Sequence, residues 1–134
     1  MHISTLVDDV LKVVDDLRKK HGEFTLAMLY NPDSLTASSI WNLIVAAPWT
    51  DAMGKADTTH LVAHALHDGL DPDNQPAISR VTVLKTSDPF VRDMTFLYPA
   101  VSSGGIAVGQ VTAGDISEGS GFIFYSNKGN SVGE

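Results

Sequence analysis

Apolar positions recur at helical spacing first in TLVDDVLKVVDDLRKK, where Leu6, Val7, Val10, Leu11, Val13, Val14 and Leu17 gather on one side of a helix. On its polar side, Asp8–Lys12, Asp15–Lys19 and Asp16–Lys20 are acid-before-base pairs at i, i+4, and Thr5 with Asp8 fits a capping box. Such pairs ordinarily make a solvated face and carry no chemistry of their own. Gly22 closes the segment. The alternating, aromatic-rich FTLAMLY (24–30) reads as a strand.

NPDSLTASS reads as a loop, and the more continuously apolar IWNLIVAAPW (40–49) as a buried strand ending at Pro48. These two strands suit an antiparallel hairpin with a long connection. Ala56–Leu70 reads as a second helix, closed by Gly69 and the turn DPDNQP. Asp71 and Asp73 in that turn resemble the opening of a calcium loop, yet the Gly and closing Glu that such a loop requires are missing. ISRVTVL (78–84) is a third strand. In SDPFVRDMTFL, Asp88 suits an N-cap and Pro89 the first helical position, which predicts a short third helix. GIAVGQV and GFIFYS follow as two more strands, joined by the turn TAGDISEGS.

The order α-β-β-α-β-α-β-β predicts an α/β domain, with α+β as the neighbouring class: a mixed five-stranded sheet with three helices and one βαβ crossover. Residues 1–126 form the globular domain and 127–134 a mobile tail. No repeat or interdomain linker interrupts the chain, and 134 residues is the size of one domain.

Composition removes several function classes. Cysteine is absent, so disulfides, thiolate-held metals and thiol catalysis are excluded, and a metal would have to use His, Asp or Glu. Formal net charge is −7 with the basic residues scattered, which disfavours a phosphate-backbone binder and makes nucleic acid an unexpected partner. The longest apolar run falls far short of the roughly 20 residues that span a bilayer, and the first residues begin no signal peptide. A cytoplasmic protein without a membrane partner is expected.

A crossover from the strand at 40–49 to that at 78–84 places their C-terminal ends on one edge of the sheet, where ligands of open α/β sheets bind. That edge gathers Trp49, Thr50, Asp51, Lys85, Thr86, Ser87 and Asp88, the first-ranked ligand-binding candidates. The competing use is structural, since Thr, Ser and Asp after a strand commonly cap the next helix.

HLVAHALH places His60, His64 and His67 at i, i+4 and i+7, flanked by Asp57 and Asp68. Histidines four apart can chelate a divalent ion, with Asp57 adding an oxygen. However, His60 is followed by Leu61 where a zincin has glutamate. The histidines also lie nearly opposite the apolar side made by Leu61, Val62, Ala65, Leu66 and Leu70, so a solvated face is the expectation and the metal set Asp57, His60, His64, His67 a weak candidate. No GxGxxG after a strand, Walker A or GxSxG motif is present, and no cofactor is expected.

WNLIVAAPWTD, with the later SRVTVLKTSDPFV, resembles a group of small bacterial proteins of unknown function that carry the pattern W-[DN]-L-[IV]-V-[SA]-A-P-W, over about residues 22–91. The resemblance implies a bacterial single-domain protein in which Trp41, Pro48 and Trp49 form a unit, and it implies no activity. The sequence therefore points to a non-catalytic binding or protein-interaction module, its partner a protein or a small ligand at the Asp51/Asp88 edge. Exposed sheet edges also admit a homodimer. The alternative is a small metal-assisted hydrolase using Asp51 and Asp88 with His60 or His64.

Overall fold

The computed structural model describes residues 3–31, 41–75, 78–98, 100–101, 105–108 and 120–127. Helix α1 (Ile3–His21) buries Leu6, Val7, Val10, Val13, Val14 and Leu17, the predicted stripe. Its last turn carries Arg18, Lys19, Lys20 and His21, where cations oppose the negative end of the helix dipole. Lys19 and Lys20 reach Asp15 and Asp16 at 3.2 and 3.0 Å. Thr5 falls inside α1, so it does not serve as the start of the helix. Gly22 then takes φ +133°, a backbone geometry open to glycine, and its N–H donates to Arg18 O at 2.9 Å.

Strands β1 (Leu26–Asn31) and β2 (Trp41–Ala46) pair antiparallel, as the sequence suggests. Every residue of β1 is buried, because β1 is central and both its faces are covered. Ala27 and Leu29 point toward α1, whereas Leu26, Met28 and Tyr30 join the opposite core layer.

The run expected to be strand as far as Trp49 turns at Ala47 into a short helix, α2 (Pro48–Met53). Proline at the first helical position presets its φ, and the Thr50 hydroxyl accepts from Ala47 N–H at 2.9 Å, satisfying a donor that the strand leaves free. Helix α3 (Lys55–Gly69) follows after Gly54, and parallel strand β3 (Ile78–Val83) returns beside β2. This is the predicted β-α-β crossover, with two helices in its connection instead of one. Helix α4 (Pro89–Leu97) begins as expected, with Asp88 Oδ1 accepting from Phe90 N–H at 2.9 Å.

The chain ends in the two-residue β4 (Ala100–Val101), β5 (Ile106–Val108) and β6 (Ser120–Asn127). The strand order is β3-β2-β1-β6-β4, with β5 also against β6. Because β1 occupies one edge of β6, β4 and β5 share the other: six strands fill five positions in a mixed sheet. The fold is the expected α/β arrangement, with four helices among the described residues instead of three. β4 is too short to leave a periodic signal. The turn TAGDISEGS up to Gly119, the loop from Pro32 and the tail from Lys128 lie outside the described residues, while Asn127 closes β6.

Two apolar layers flank the sheet. Helices α1 and α3 pack with Phe24, Leu43, Val45, Val83 and Phe124 on one face, and α4 packs Phe90, Val91 and Met94 on Leu26, Met28, Ile44 and Ile123 on the other. No helix among the described residues is long and apolar enough to cross a membrane.

Candidate functional site

The crossover carries the C-terminal ends of β2 and β3 to one edge of the sheet, and the structure brings several of the predicted residues together there. Thr86 N–H and Oγ1 donate to the Asp51 carboxylate at 3.1 and 2.6 Å, bridging 35 residues of sequence. Asp88 spends one carboxylate oxygen on the α4 cap, while its own N–H donates to Lys85 O at 2.9 Å. Thr50 is buried, accepts from Ala47 N–H and donates to Ala47 O. Lys85 and Ser87 are exposed on the turn between β3 and α4. Asp51, Thr86, Asp88 and Thr50 are thus used on one another and on backbone, and the Asp51–Thr86 pair is a clasp that ties α2 to the turn before α4.

Trp49 turns away from this clasp toward α1. Its indole N–H donates to Gly22 O at 3.0 Å, its ring stacks on His21 at 4.9 Å and meets Phe24 edge-on at 5.4 Å. A Cβ at position 22 would sit 3.3 Å from the indole, so glycine there serves both the turn and the close approach of Trp49. Trp41 begins β2 and Trp49 follows its end, so the two tryptophans pack on the same core layer from opposite ends of one strand.

Along α3, Thr58, Val62 and Leu66 are buried, and Asp57, His60, His64 and His67 are exposed. His64 Nε2 lies 3.7 Å from Asp68 Oδ2, with both side chains about two-thirds exposed at 66%. Among the described residues no group of three or more His, Asp or Glu side chains is placed to hold a metal ion. The stripe has the geometry of a wet helix face.

Two further clusters tie elements together. Asp15 accepts from Arg18 Nη2 at 2.9 Å and from the Tyr125 hydroxyl at 2.9 Å, and Arg18 reaches on to Glu23 at 2.9 Å. The guanidinium and then the phenol hold the Asp15 carboxyl down to about 2, from an ordinary value of 3.8. Burial, followed by the bond to Asp15, pushes the Tyr125 phenol up. Near the other end of α1, Asp9 accepts from Asn74 Nδ2 at 2.7 Å and Asp71 N–H at 3.0 Å, and these bonds lower its pKa. Both clusters secure α1 to its neighbours.

A groove of about 320 Å³ lies between α3 and β3. One flank of α3 supplies Thr59, Ala63, Leu66, His67 and Leu70, the following turn supplies Gln75, and β3 supplies Ile78, Arg80 and Val81. Small Ala63 on the helix flank leaves room there. Gln75 Nε2 donates to His67 O at 2.8 Å and Leu70 O at 3.3 Å, closing the C-terminal carbonyls of α3 and positioning its own side chain at the groove end. Between Ile78 and Arg80 the pairing with β2 slips by one residue, so β3 is bulged where it meets the groove. The sequence carried one sign of this site: Arg80 is a charged residue within the strand ISRVTVL. Only His67 links the groove to the residues singled out from the sequence.

Neither the known protein families, nor curated protein sequences, nor solved structures yield a match to this chain.

Proposed function

We propose that the protein is a non-catalytic binding module and that its ligand sits in the α3–β3 groove. The observation that carries this reading is the groove itself: about 320 Å³, floored by Leu66, Leu70, Ile78 and Val81 and edged by Thr59, His67, Gln75 and Arg80. Its volume falls in the range of small-ligand sites, and an apolar floor with a few convergent polar groups is their usual make-up. The strand-end residues favour a structural role, because Asp51 and Asp88 already hold Thr86 and the α4 cap. A metal-assisted hydrolase built on those carboxylates and His60 or His64 draws no support from a helix face whose imidazoles are exposed.

A small ligand suits this edge better than an added strand. Among the described residues β3 is an edge strand, but its bulge and the exposed Arg80 are devices that blunt a sheet edge against pairing with another chain. The test is an amide NMR titration with a panel of neutral, anionic and cationic fragments. Saturable shifts confined to Thr59–Leu70 and Ile78–Val81 are expected from one chemical class. Shifts that scatter over the surface, or that gather around Asp51 and Thr86, would overturn the assignment of the groove.

A further inference from the structure

Resting on the groove as the binding site, we infer that its ligand is a small amphipathic carboxylate, with the acid group at Arg80 and the apolar body on Leu66, Leu70, Ile78 and Val81. The chain has 16 acidic residues, yet none lines the groove, and Arg80 is the one formally charged side chain there. The remaining donors are few. Thr59 Oγ1 already donates to Lys55 O at 2.7 Å, and Gln75 Nε2 is committed to His67 O and Leu70 O. Of the lining side chains, the Arg80 guanidinium and the His67 imidazole are left to donate, and Arg80 makes no ion pair among the described residues. A guanidinium's fork of N–H groups matches a carboxylate, whereas an ammonium ligand would find no carboxylate in the lining.

The net charge of −7 opposes any anion, and Asp68 and Asp71 follow the lining residues His67 and Leu70 in the chain; neither of them lines the groove, where Arg80 is the formal charge, and more distant acids are screened beyond about 8 Å at physiological ionic strength. Size limits the apolar body. The groove is roughly twice the ~150 Å³ of an engineered cavity that accommodates benzene, which leaves room for a chain of about eight carbons beside its carboxylate.

Octanoate and 1-octanol, titrated separately into ¹⁵N-labelled wild type and Arg80→Gln, test the inference. Octanoate should move the amides of His67–Leu70 and Ile78–Val81 saturably and bind about fivefold tighter than octanol, as befits a partly exposed ion pair. Arg80→Gln should remove that preference by weakening octanoate more than octanol. Arg80 is exposed, so the variant should fold, which its own amide spectrum checks. Equal binding of acid and alcohol in both proteins would overturn the carboxylate while the groove stands. If neither probe moves those amides, or the shifts centre on exposed Phe96 and Leu97, the groove falls as well. Shifts at the groove that appear with protein concentration alone would replace the ligand by a second copy of the chain.

Discussion

The Tyr125 hydroxyl donates to the Asp15 carboxylate at 2.9 Å, joining the first helix to the last strand across 110 residues. Arg18 completes the arrangement, bonding Asp15 through Nε and Nη2 at 3.1 and 2.9 Å while its guanidinium carbon lies 5.6 Å from the Tyr125 ring centre.

The linkage has a pH consequence of definite sign. Asp15 is held at about 2 in the folded protein, below its ordinary 3.8, so its contribution is fully present above 3.8 and is lost as pH falls toward 2. The carboxylate is about a third exposed (32%), and solvent screening reduces the contribution to about 1 kcal/mol. Asp15→Asn should lower urea stability by about 1 kcal/mol near neutral pH and flatten the stability loss between about pH 4 and pH 2. A variant whose acid limb runs parallel to wild type would show that Asp15 is not the group responsible.

The Asp51–Thr86 clasp yields a prediction that separates a structural pair from a ligand site. Each hydrogen bond to the exposed Asp51 carboxylate contributes up to about 1 kcal/mol, so Asp51→Ala and Thr86→Ala should each cost about that much. Their double variant should cost less than the sum by about 0.5 kcal/mol or more, since either change removes the same side-chain bond. Additive effects in denaturant melts would mean that the two residues act separately.

The histidine stripe leads to an expectation of small effects. His60 and His64 are exposed, and the only ion pair of the stripe among the described residues, His64 with Asp68, spans 3.7 Å in open solvent. Replacing both by Gln should change stability by less than about 0.5 kcal/mol. Zn²⁺ added to EDTA-stripped protein should give weak, non-stoichiometric heat by calorimetry, with no rise in melting temperature. Tight equimolar binding lost in the double variant would restore a metal role for the stripe.

Which parts of this were legible beforehand follows from which forces act locally. The α1 stripe, the Asp88–Pro89 start of α4 and the parallel return of β3 are written in periodicity and capping chemistry, which neighbouring residues decide. The helix at Pro48–Met53 was hidden because AAPW continues an apolar run, and the end of the strand shows in the Thr50 side-chain bonds to Ala47 and the Asp51 N–H bond to Ala47 O. At the candidate strand-end edge Asp51 does meet Thr86, whereas Trp49 turns toward α1. The sequence could not show that Asp51 and Thr86 satisfy each other. The α3–β3 groove depends on a helix flank and a bulged edge strand meeting in space, and neither Ala63 nor Ile78 differs locally from an ordinary core residue.

Gly69 shows how packing overrides local preference. It is the last residue of α3, and alanine in a helix is ordinarily favoured over glycine by up to about 1 kcal/mol. A Cβ at Gly69 would lie 2.7 Å from Val13 Cγ2, inside the distance that real Cβ atoms adopt, so α1 and α3 would have to separate or Val13 would have to leave its rotamer. Overpacking of this kind costs about 1–3 kcal/mol, which exceeds the propensity gain. Gly69→Ala should therefore destabilise the protein by about 1 kcal/mol. Val13 is buried at 6% exposure, so Val13→Ala alone should also destabilise. Combined with Gly69→Ala, however, it removes the clashing methyl, and the double variant should be more stable than the sum of the two losses requires. Strict additivity in thermal melts would show that the helices adjust freely, and that Gly69 is not what sets their approach.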